Sequence, residues 1–169
     1  MTLEKQDAEL FYELWFPLLD FVNQKYRVCP GTGTIDRSRG VDAADAKKIA
    51  DYLWSHTQVL QEYIAYAKLP EEQAQIVAGW AQCKPGKYIM ERHLIKGTVF
   101  ISEDDQTVYM VEGLFSTWEE MMGKGPVLLD AVLIPFKDMI ISDGLVRAYP
   151  FHFGRGYSEA FKDIYRKAK

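Results

Sequence analysis

A chain of 169 residues with 48% hydrophobic and 14% aromatic residues has enough apolar side chains for a packed core, which excludes an intrinsically disordered protein. Its formal charge of −4 argues against a strongly basic nucleic-acid surface and leaves room only for a local basic patch. No apolar run approaches the ~20 residues that span a bilayer, and Met1 to Asp7 lacks the basic-then-apolar pattern of a secretory signal, so a soluble cytoplasmic protein with no membrane partner is expected.

The first half reads as helical. Leu10, Phe11, Leu14, Trp15, Leu18, Leu19 and Val22 recur at spacings of three and four, and Phe16 and Phe21 widen the stripe. Pro17 falls inside this pattern; its missing N–H and its clash one turn back predict a kink or a restart. Cys29 to Gly40 is a loop rich in glycine and hydroxyl residues. Within it Thr32, Thr34, Arg37, Ser38 and Arg39 form either a phosphate-friendly rim or an ordinary polar surface.

Asp42 predicts an N-cap, followed by the apolar face Ile49, Ala50 and Leu53. Ser55-His56-Thr57-Gln58 matches a capping box and predicts a new helix from near His56, burying Val59, Leu60, Tyr63 and Ile64. Pro70 suits the start of a further helix that carries Ile76, Val77 and Trp80 inward and stops before Lys84-Pro85-Gly86.

The period then changes to that of strands. Tyr88 to Ile95, Thr98 to Ser102 and Thr107 to Leu114 are rich in β-branched and aromatic residues, with Glu103 to Gln106 as a hairpin loop. Ser116-Thr117-Trp118-Glu119 matches a second capping box and opens a short helix over 117–122. From Val127 to Lys169 the pattern is strand, turn, strand, glycine loop, helix. Asp143-Gly144, between Met139-Ile140-Ile141 and Leu145-Val146, predicts a tight hairpin. Gly154-Arg155-Gly156 is the glycine loop, and the last helix is expected over 158–168.

Helices followed by strands indicate an α+β fold: N-terminal helices packed on a small, strongly twisted antiparallel sheet, a possible half-barrel, with a C-terminal helix. The expected organisation is a helical half over 1–84 and an antiparallel β half over 85–169, forming one structural unit.

Candidate chemistry is sparse. Glu91 and His93, two apart on a predicted strand, face the same side and suit a carboxylate–histidine pair or, equally, a cross-strand ion pair on a solvated face. His152 lies between Phe151 and Phe153 beside the glycine loop. Gly154, Arg155 and Gly156 form an anion-binding candidate: glycines admit a ligand to the backbone, a helix N-terminus offers N–H groups, and Arg155 adds a fork; a plain tight turn explains the same residues. No HExxH, CxxC or His-x-His arrangement exists, and Cys29 and Cys83 read as reduced thiols, so no metal or cofactor is expected.

Ile134-Pro135-Phe136-Lys137, Ile140-Ile141-Ser142-Asp143-Gly144-Leu145 and Gly154-Arg155-Gly156 together resemble a family of bacterial proteins that has no assigned activity. That family pairs a helical N-terminal part with a Pro-Phe, Asp-Gly, Gly-x-Gly tail. The resemblance covers the last forty or so residues and implies a bacterial, cytosolic setting. The functional expectation is a non-enzymatic binding or interaction module that engages a protein or nucleic-acid partner through the sheet and the glycine loop. The alternative is a small enzyme acting on a phosphate-bearing substrate, with Arg155 on the phosphate and His152 or His93 as acid–base group.

Overall fold

Two units make up the chain in a computed structural model that describes residues 1–150 and 153–168: Glu4–Cys83, and Met1–Leu3 with Lys84–Lys169. The fold class is α+β.

The first unit is helical: α1 (Lys5–Tyr26), α2 (Ala43–Ser55), α3 (Val59–Ala67) and α4 (Glu71–Gly79), with a 3₁₀ turn at Trp80–Gln82. The predicted stripe of α1 is its buried face, including Phe11, Leu14, Trp15, Leu18, Leu19 and Val22. The helix does not break at Pro17. Pro17 is exposed, and so is Glu13 one turn back, so the carbonyl that loses its partner lies on the solvent side and the cost is small. Asp42 caps α2 as expected, its carboxylate accepting from Ala44 N at 3.2 Å. The capping box at Ser55 does not form. Instead α2 continues through Ser55, and His56 closes it by stacking on Tyr52 at 4.1 Å and bonding through Nδ1 to the Tyr52 carbonyl at 2.8 Å. Helix α3 therefore starts at Val59, three residues after His56.

The second unit contains β1 (Lys84–Leu94), β2 (Gly97–Ser102), β3 (Val108–Val111), α5 (Trp118–Met122), β4 (Val127–Phe136), β5 (Met139–Ser142), β6 (Arg147–Ala148) and α6 (Arg155–Ala168). The strands form one antiparallel sheet in the order β3-β2-β1-β4-β5, with β6 also on β4. The sheet curls into a half-barrel, drawn shut at one point where Glu112 N donates to the Ile140 carbonyl at 3.0 Å across the two sheet ends. Its concave side holds Tyr88, Met90, Phe100, Val111, Leu129, Ala131 and Leu133, together with Trp118 from α5. On the convex side, Ile89, Val99 and Ile101 pack with Phe161 and Tyr165 of α6. Helix α5 is held by a capping box one residue on from the predicted one: Glu120 N donates to Thr117 Oγ1 at 3.1 Å and Thr117 N to Glu120 Oε2 at 3.0 Å.

Asp143-Gly144 is not a hairpin turn. The hairpin is Lys137-Asp138, which joins β4 to β5 through the pair Phe136↔Met139, with Lys137 at φ 57°. Both β5 and β6 pair with the same side of β4: Ser142 faces Leu133 and Arg147 faces Asp130, so four residues, 143–146, stand opposite two. Asp143-Gly144 is thus a jog within one interrupted edge strand. It is stabilised where Leu145 N donates to Asp143 Oδ1 at 3.0 Å and Gly144 N to Ser142 Oγ at 3.1 Å. Helix α6 opens at Arg155, earlier than the expected residue 158, which draws Gly156 into its first turn.

Candidate interaction surface at the β1–β2 hairpin

Strand β1 carries the irregularity that decides this site. Met90 pairs with Phe100 and Arg92 with Val99, so Glu91 is an extra residue, a β-bulge. Period-2 alternation puts Glu91 and His93 on one face; the bulge shifts the phase by one and separates them. Arg92 moves to the convex side, over the Tyr165 ring at 4.6 Å. Glu91 follows it: its carboxylate, only 5% exposed, takes both Arg92 Nε and, at 2.9 Å, Arg92 Nη2. This pairing holds Arg92 firmly in its charged form, the Glu91 hydrogen bond being the main cause.

His93 turns the other way. Its Nδ1 lies 2.9 Å from Thr98 Oγ1 and its Nε2 lies 2.8 Å from the Gly123 carbonyl. A carbonyl only accepts, so Nε2 carries a proton and donates. Both ring nitrogens are engaged in tying the end of α5 to the β1–β2 hairpin, and the predicted Glu91–His93 pair does not exist.

Among the described residues, the other sequence candidates do not join this site. Gly154, Arg155 and Gly156 are all exposed. Neither glycine has positive φ, and a Cβ at either would meet nothing within 4 Å, so no close approach explains them. His152 lies outside the described residues. In the Cys29-to-Gly40 loop four of the five expected rim residues are engaged locally: Thr32 Oγ1 donates to Asp45 at 2.9 Å, Ser38 Oγ and Arg39 N donate to Asp36 at 2.8 and 2.7 Å, and Arg37 lies over Tyr12 at 5.9 Å; Thr34 is exposed. Burial pushes the Cys29 thiol up, and neither cysteine is in a disulfide. Among the described residues no group of three His, Cys, Asp or Glu side chains is placed to hold a metal, and no helix is long and apolar enough to cross a membrane.

The most exposed large apolar side chain among the described residues was not singled out by the sequence. Leu94 pairs with Gly97, which leaves Ile95-Lys96 as a two-residue hairpin tip. Gly97, at φ 148°, sits where a Cβ would come within 3.0 Å of the Val111 carbonyl, so the tip is held tightly against β3. Ile95 is 92% exposed. Two clefts flank it. One, of about 430 Å³, is lined by Met1, His93, Thr98, Thr117 and Glu119 along with Leu94 and Ile95. The other, of about 640 Å³, lies between the tip and the end of α6 and is lined by Leu94, Ile95, Lys96, Val108, Met110, Tyr165 and Ala168. A signal for the tip was present: Lys96-Gly97 is a turn-forming pair directly after an apolar run, so Ile95 belongs to the turn, not to the strand.

Comparison with protein-family models, with curated proteins and with solved structures gives no match.

Proposed function

We propose that this protein is a binding module whose contact surface is the end of the half-barrel built by the β1–β2 hairpin tip and its two clefts. The observation that carries the reading is Ile95, a large apolar side chain held 92% exposed on a tight hairpin between two concavities. Exposing it costs hydration free energy, and it stands beside Leu94, Val108 and Met110 in the clefts it lines, so it is part of an apolar surface and not a lone exposed side chain. The geometry favours binding over acid–base chemistry because His93 spends both nitrogens on structural bonds and Glu91 is committed to Arg92.

The test is a photo-crosslinking side chain at position 95, with the same group at exposed Glu103 as control, in cells that make the protein. Discrete protein adducts from position 95 and none from 103 are expected. Identical adduct ladders from both positions overturn the reading. Ile95→Asp should leave unfolding within about 0.5 kcal/mol of the parent, as befits a side chain with little to lose on the surface.

A further inference from the structure

We draw no further inference here: the strongest candidate, the apolar cleft of about 640 Å³ between the β1–β2 hairpin tip and the end of α6, is a surface for which nothing in the structure shows what covers it.

Discussion

Removing the two members of the Glu91–Arg92 pair one at a time should have very unequal costs. Glu91 is the enclosed partner, its side chain 5% exposed, while that of Arg92 is 34% exposed. Arg92→Ala strands a buried carboxylate. A fully enclosed pair broken in this way costs about 3–5 kcal/mol; the space vacated by a one-third-exposed arginine admits water, so about 2–3 kcal/mol is the expected loss. Losing the cation–π contact with Tyr165 adds about 0.5–1 kcal/mol. Glu91→Gln is milder. Its amide oxygen still accepts one bond, and Arg92 keeps Tyr165 and its contact with water, so about 1 kcal/mol is expected. Combining the two should be less damaging than Arg92→Ala alone, because the glutamine removes the stranded charge. Urea titration followed through the β1 amides measures all three. Equal costs for the single variants, or a double variant worse than Arg92→Ala, would refute the reasoning.

Two further tests address the second unit. Burial raises the Glu112 carboxyl above its ordinary value of 4.5, and Asp138 pushes the same way against a lowering by the N-terminal amine. A raised carboxyl contributes stability that is present below the unfolded value and lost as pH climbs through the folded one. Glu112→Gln should therefore be more stable than the parent at neutral pH, with the two converging toward about pH 4 in thermal melts. The glycines separate turn from helix. Gly144, at φ 80° with open space around it, should lose about 1 kcal/mol on conversion to Ala, purely through backbone strain. Gly156, in the first turn of α6 without positive φ, should gain about 0.5–1 kcal/mol from the same change; a loss there would mean that the glycine has a role the fold does not explain.

Features governed by one segment's own chemistry were legible in the sequence. The α1 stripe, the Asp42 cap and the short helix after Thr117 each follow from side chains within a few residues of one another. What was misread depends on distant partners. Asp143-Gly144 has the better turn chemistry, yet Lys137-Asp138 makes the hairpin, because pairing of Ile140 and Ile141 with Pro135 and Ile134 outweighs the cost of a lysine at positive φ. The bulge at Glu91 is set by the register with β2 and leaves no mark on the local alternation, so the face of His93 was inverted. Of the site candidates among the described residues, His93 lies at the surface described here, and it serves as a strut. Ile95 was hidden because a strand and a hairpin tip accept the same apolar residue.

The jog at residues 143–146 has a consequence for behaviour at high concentration. A continuous edge strand offers a ladder of free backbone groups on which a second chain can build, the usual route to edge-to-edge aggregation. Here the run on β4 is four residues, then a step of two unmatched ones, then two residues more, with Pro150 soon after. An incoming strand that matched Met139–Ser142 would have to take up two extra residues before it met Arg147. The extra residues thus make the edge a poor template, and deleting two of them to restore a straight edge is the change most apt to turn this protein sticky.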